Sequence, residues 1–152
     1  MTYNILKDYI DVNLIELDVD AQSKDKILEK LVFFFDNKYT NSHKKLYKDI
    51  LKRESEITTG IGNGIAIPHA KSKACIRPGV LFARTNDLIK YKALDNKDVG
   101  VFFMIITPDD NPYLHLNILA VLAKKLMEKE VVDVLKTSKL KEEILNQIII
   151  NI

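Results

Sequence analysis

From Val99 to Thr107 the chain reads Val-Gly-Val-Phe-Phe-Met-Ile-Ile-Thr, apolar at consecutive positions instead of alternate ones. An extended segment sends successive side chains to opposite faces, so a strand of this composition has to be covered on both. It is therefore the expected centre of a sheet. Two helical stripes are available to cover it. The first follows an N-cap at Ser23 and carries Ile27, Leu28, Leu31, Val32, Phe34 and Phe35 up to Asp36. The second opens at Asn111-Pro112 and carries Leu114, Ile118, Leu119, Leu122 and Leu126. At 152 residues, with 47% hydrophobic and 29% charged side chains, the chain fills one core and stays hydrated. These proportions exclude intrinsic disorder and a fibrous repeat.

The remaining pattern fits around that centre. A loose alternation from Val12 to Val19 suggests a short strand near an edge. A helix starting at Asn41 or Ser42 puts Leu46, Tyr47, Ile50 and Leu51 inward, with Arg53 beside that face. Gly60 to Pro68 reads as strand and turn, Gly79 to Arg84 as a strand, and two short helices follow over about Glu130 to Leu135 and Ser138 to Ile149. No Pro-, Gly- or Ser-rich linker divides the chain. One α/β domain over residues 1–152 is the expectation, with strand order open and no doubly wound nucleotide-binding sheet implied.

Lys+Arg 23 against Asp+Glu 21 leaves a net charge of +2, far from the basic surface that a phosphate backbone requires, so no nucleic-acid partner is expected. The single cysteine, Cys75, cannot close an intrachain disulfide, and no Cys and His spacing suggests zinc. The segment Met1 to Ile10 carries Lys7 and Asp8 and lacks an export signal's apolar region, which predicts a cytoplasmic chain. The longest apolar run falls short of the ~20 residues that span a bilayer. Any membrane role is expected to pass through a partner.

The chemistry concentrates at Gly60-Ile61-Gly62-Asn63-Gly64-Ile65-Ala66-Ile67-Pro68-His69. If extended, its alternate glycines leave one side of the backbone open to close approach; a glycine-rich bend with no ligand is the plain alternative. The segment is neither a Walker loop nor a dinucleotide fingerprint. His69 follows the stiff Pro68, and a neutral imidazole nitrogen can attack phosphorus without a separate base; a loop histidine bonded to its neighbours is the alternative. His115 starts an apolar stripe in the first turn of a helix, where the dipole disfavours imidazolium. It reads as a neutral donor to a phosphoryl oxygen or as a half-buried cap. Arg53 could hold phosphoryl oxygens with its planar fork, or pair with Glu54 or Glu56. His43 and Cys75 read as structural, and the Lys-rich face of the second helix as solvated.

Taken together, Arg53-Glu54-Ser55-Glu56-Ile57-Thr58-Thr59 followed by Gly60 to Ala70 closely resembles the active-site motif of fructose/mannitol-type enzyme IIA, a phosphocarrier domain of the bacterial phosphoenolpyruvate-dependent sugar phosphotransferase system. The resemblance continues through Val99 to Thr107 and the His115-Leu116 pair. It implies a single-domain α/β fold with a mixed sheet flanked by helices. It also implies that His69 is the phosphoacceptor at its tele nitrogen, taking its group from phospho-HPr and passing it to a thiolate of enzyme IIB. His115 would be the second active-site histidine and Arg53 the active-site arginine. Thr59 and Asn63 would be weaker neighbours, and the Gly-Asn-Gly stretch a wall of the site. No cofactor, metal or nucleotide is implied, and a membrane permease would be reached only through the IIB. The nitrogen-regulatory branch of the family carries almost the same motif, so regulation of partner proteins stands beside sugar uptake. Ile61, Ile65 and Ile67 are candidates for an apolar docking rim around His69.

Overall fold

The computed structural model describes residues 3–150; positions 1, 2, 151 and 152 of the expected domain lie outside them. Two short 3-10 turns, Ile5–Asp8 and Val12–Leu14, precede β1 (Ile15–Val19), α1 (Lys24–Phe34) and α2 (His43–Glu56). The middle holds β2 (Gly60–Gly62), β3 (Ile65–Ala66), β4 (His69–Ser72), β5 (Gly79–Ile89) and β6 (Val99–Pro108). Three helices close the chain, α3 (Pro112–Lys125), α4 (Lys129–Thr137) and α5 (Lys141–Ile149). The fold is α/β, with one mixed sheet flanked by five helices.

The strand order is β1-β5-β6-β3-β2, and β4 joins the same side of β6 as β3. β5 runs antiparallel to β6, whereas β1 lies parallel to β5 and both β3 and β4 lie parallel to β6. Every residue of β6 from Val99 to Thr107 is buried, as its unbroken apolar run requires. Its long edge is shared between two short strands. β3 pairs at Val101 and Phe102, and β4 takes over at Ile105. Pro68 sits in the break, where its carbonyl accepts the amide of Ile105 at 3.0 Å while its own nitrogen has no proton to give.

Several boundaries differ from the sequence expectations, each for a local reason. Asp11 accepts the amide of Asn13 at 2.8 Å and winds Val12–Leu14 into a turn, so the edge strand starts only at Ile15. β4 was not expected beyond Pro68, because His-Ala-Lys-Ser has no β-branched residue or clean alternation; its pairing with β6 makes it a strand. Ser138 does not begin a helix. It lies between α4 and α5, and its carbonyl accepts from Nη2 of Arg84 at 2.5 Å. The caps at Ser23, Ser42 and Asn111 stand as read, each side chain accepting an amide three residues on.

The glycines do not lie along one side of an extended strand. Gly62, Asn63 and Gly64 all have positive φ, at 107°, 57° and 76°, and turn the chain tightly from β2 into β3. Asp95 holds the turn by accepting the amide of Asn63 at 3.0 Å, and Lys136 donates to its side chain. Gly60 serves a different need, close approach: a methyl group there would stand 2.6 Å from Cβ of Ala93 and 2.7 Å from its Cα.

Glu54 ties the end of α2 to its surroundings. Its buried carboxylate accepts the Thr59 amide at 2.9 Å, the Thr59 hydroxyl at 2.5 Å and the Tyr91 hydroxyl at 2.9 Å, and pairs with Lys24 at 3.0 Å. Burial alone would raise its pKa; the Thr59 donors and Lys24 outweigh that and hold it below the usual carboxylate value.

Backbone blocks relief at Gly60, so Gly60→Ala should lose roughly 1–3 kcal/mol of stability, the range for overpacking a filled site. Urea unfolding should show a lower midpoint with an unchanged slope.

Candidate functional site

An open groove of about 520 Å³ runs between the end of α2, β4 and the start of α3. Arg53 comes to it from α2, His69 from the first position of β4, and His115 from the first turn of α3. The structure thus brings together the three side chains singled out from the sequence. Leu116 and Leu119 add apolar lining to the groove, and Lys52 and Lys71 line it together with Asp49 and Glu56.

His69 is held by the residue just before its proline. Nδ1 lies 2.6 Å from the carbonyl oxygen of Ile67, which can only accept, so this nitrogen carries the ring proton. Nε2 keeps its lone pair. Burial depresses the pKa of the ring, and the charge of Arg53 depresses it further. The Ile67 bond and the carboxylates of Glu54 and Glu56 oppose this, and the net shift is downward. At neutral pH His69 is an uncharged base.

His115 is buried at the N-terminal end of α3, its ring centroid 5.2 Å from that of His69 and tilted by 51°. Nδ1 shares a hydrogen bond of 2.9 Å with Oγ1 of Thr107. Burial above all, then the neighbouring His69, Lys71 and Arg53, pushes its pKa down to about 4. The ring is therefore neutral in a groove edged with cations.

Arg53 remains available. Of the carboxylates that could have claimed it, Glu54 is engaged with Lys24, and Nη1 of Arg53 donates instead to the carbonyl of Ile57 at 2.9 Å. Two neutral imidazoles and a guanidinium thus face one space, which suits a doubly charged group with several acceptor oxygens.

Other expectations are corrected. Residues Gly60 to Gly64 form no wall of the groove; Gly62 packs against Asp95, and Gly64 lies near Lys136. Ile65 and Ile67 are buried core residues and cannot form a docking rim, and Ile61, although exposed, is not among the groove residues. The exposed apolar side chain at the groove is Leu116. Thr59 belongs to the Glu54 cluster. His43 is structural, stacked on Phe33 at 4.7 Å with Nε2 bonded to the Phe35 carbonyl at 2.5 Å. Cys75 is a buried thiol whose pKa burial pushes up to about 12.

Sequence reasoning missed Thr107, Lys71 and the role of Glu54. Thr107 ends the apolar run eight residues before His115, and that spacing across a strand-to-helix connection was the available signal. Among the described residues no group of three or more His, Cys, Asp or Glu is placed to hold a metal ion. No helix among them is long and apolar enough to cross a membrane.

Residues 8–151 match the family described as phosphoenolpyruvate-dependent sugar phosphotransferase system, EIIA 2. A fructose-specific EIIA component of the phosphotransferase system from Haloferax volcanii is 41% identical over 95 residues, covering 62% of this chain and 62% of that protein. A nitrogen regulatory protein from Klebsiella oxytoca is 34% identical over 127 residues, covering 83% and 78%. The crystal structure of nitrogen regulatory protein IIA-Ntr from Neisseria meningitidis superposes with a TM-score of 0.89 at 26% identity, covering 95% of this chain and 99% of that one. The chain spans only part of the fructose-specific relatives, 62% of the Haloferax protein and 19% of an EIIABC component from Bacillus subtilis.

The depressed pKa of His115 sets a direction for stability against pH. The unfolded chain takes up a proton near pH 6.5, and the folded site does not until about pH 4. Stability from this group is complete above pH 6.5 and falls as the pH drops through that window, by roughly 2–3 kcal/mol at pH 4.5. Urea titrations at pH 7.5 and 4.5 should show that fall, and His115→Gln should reduce it.

Proposed function

Because the chain belongs to the EIIA 2 family of the phosphoenolpyruvate-dependent sugar phosphotransferase system, we propose that it is a cytoplasmic histidine phosphocarrier, loaded on Nε2 of His69 by phospho-HPr. The observation that carries this reading is the 2.6 Å bond from Nδ1 of His69 to the Ile67 carbonyl, which leaves Nε2 as the nucleophile beside Arg53 and His115. In the loading step the Nε2 lone pair attacks phosphorus as the bond from phosphorus to the donor's imidazole nitrogen breaks, and that electron pair returns to the donor ring. The proton on Nδ1 stays in place throughout. Arg53 binds the equatorial oxygens, and His115 donates a hydrogen bond to them as charge shifts between the rings.

Unloading returns the same electron pair to His69. A cysteine thiolate of an enzyme IIB attacks phosphorus, the N–P pair returns to Nε2, and His69 is restored as the neutral base it was. The exposed Leu116 and the lysines around the groove suit transient docking of both partners. A membrane permease is reached only through the IIB, and no nucleotide enters the balance.

A regulatory role is the second reading. It is supported by the relatives named nitrogen regulatory protein, which match 83% of the chain. There the phosphoryl state of His69 would alter binding to other proteins and no sugar would follow.

Labelled phosphoenolpyruvate supplied with enzyme I and HPr should label the wild-type chain and leave His69→Ala unlabelled. Arg53→Ala and His115→Ala should load about 100-fold more slowly, the scale for removing one stabilising donor from a transferring group. Passage of the label to an added fructose- or mannitol-type IIB supports uptake. Label retained against every IIB offered supports regulation, and labelling of His69→Ala overturns the assignment.

A further inference from the structure

Thr107 lies near the end of β6, fully buried, with Oγ1 2.9 Å from Nδ1 of His115. Register explains the meeting. Thr107 pairs with Lys71 across the parallel ladder, two positions from the pairing of His69 with Ile105, so Thr107 and His69 project from the same face of the sheet. Two hydrogen-bond polarities fit the distance. The hydroxyl can donate to a bare Nδ1, or a protonated Nδ1 can donate to the hydroxyl oxygen.

The two are not equal in energy. In the second the hydroxyl proton needs another acceptor in a buried place, and His115 is the partner Thr107 has among the described residues. A buried donor left unmatched costs about 1–3 kcal/mol. In the first every group at the contact is matched, and the sole ring proton of His115 is on Nε2. No buried side-chain nitrogen or oxygen among the described residues lacks a partner, so that Nε2 reaches the open groove which His115 lines.

We propose that Thr107 is a positioning residue that donates its hydroxyl proton to Nδ1 of His115 and so locks that ring as the Nε2–H tautomer, presenting an N–H to the phosphoryl group on His69. The two facing imidazoles are thereby given opposite assignments, one by a backbone carbonyl and one by a buried side-chain hydroxyl. The Ile67 carbonyl, an acceptor, makes His69 bare at Nε2; the Thr107 hydroxyl, a donor, makes His115 protonated there. With the opposite tautomer, His115 would turn a lone pair toward phosphoryl oxygens and lose one charge-assisted hydrogen bond. The pKa of about 4 keeps the ring neutral, so the assignment holds at physiological pH. The consequence for transfer rests on the phosphocarrier reading, but the tautomer itself does not.

The chain has three histidines, so nitrogen-15 spectra of histidine-labelled, unphosphorylated protein are simple to assign. The wild type at pH 7.5 should show His69 protonated at Nδ1 and His115 at Nε2. Thr107→Val should move the His115 nitrogens toward the shifts of exchanging tautomers and slow loading from phospho-HPr by about tenfold, the effect of one hydrogen bond. Thr107→Ser should restore both. Protonation of wild-type His115 at Nδ1 overturns the proposal and needs no variant to fold. Unchanged His115 shifts and loading in Thr107→Val overturn it as well. Failure of the wild type to load, with the tautomers as stated, counts against the phosphocarrier reading alone.

Discussion

Coverage of β6 on both faces is the constraint on which the rest depends. A strand that is apolar without a break from Val99 to Ile106 has to lie in the middle of the molecule, and one that long has more edge than β3 can use. The remaining edge recruits His69–Ser72, a segment with little strand character of its own, and so places His69 at a defined depth. The same strand runs on into the connection that starts α3 and carries Thr107 near its end. Both imidazoles and the hydroxyl behind one of them are therefore located by a single element, and their separation is set by ladder geometry.

The third member of the site depends on a different anchor. Arg53 lies near the end of a helix, where fraying would let a long side chain wander. Glu54, the next residue, ends that freedom by gathering donors from α1, from the segment before β2 and from Tyr91. A buried carboxylate beside an arginine would ordinarily neutralise it. Here its capacity is consumed elsewhere, so the cation of Arg53 faces the groove, and two of the Glu54 bonds go to the very segment that leads to His69.

How much could be read in advance follows from the range of the interactions. Helices α1, α2 and α3 were legible because caps and apolar spacing are local: Ser23 and Asn111 stand where the pattern put them, and of Asn41 and Ser42 the cap is Ser42. The central strand was legible because burial on both faces leaves a mark in composition. That His69, His115 and Arg53 would meet at one groove was legible through their motif. What escaped depends on residues distant in sequence: β4 exists by pairing with β6, Ile65 and Ile67 are hidden by a sheet whose order no periodicity encodes, and Glu54 meets Tyr91 across 37 positions. The glycine segment was misplaced for a related reason. Alternation suggested an extended edge, whereas positive φ at Gly62, Asn63 and Gly64 turns it away from the groove and leaves approach to Ala93 as the work of Gly60.

Cys75 sharpens the division of labour between this chain and any thiol partner. With its pKa pushed up to about 12 it keeps its proton at neutral pH, and its hydrogen is directed to the Arg77 carbonyl. The one thiol of this chain is therefore protonated and hydrogen-bonded at neutral pH and is not a nucleophile. Under the proposed phosphocarrier function, a thiolate that takes the group from His69 would have to be brought by a second protein, so encounter with that protein would decide where the group goes.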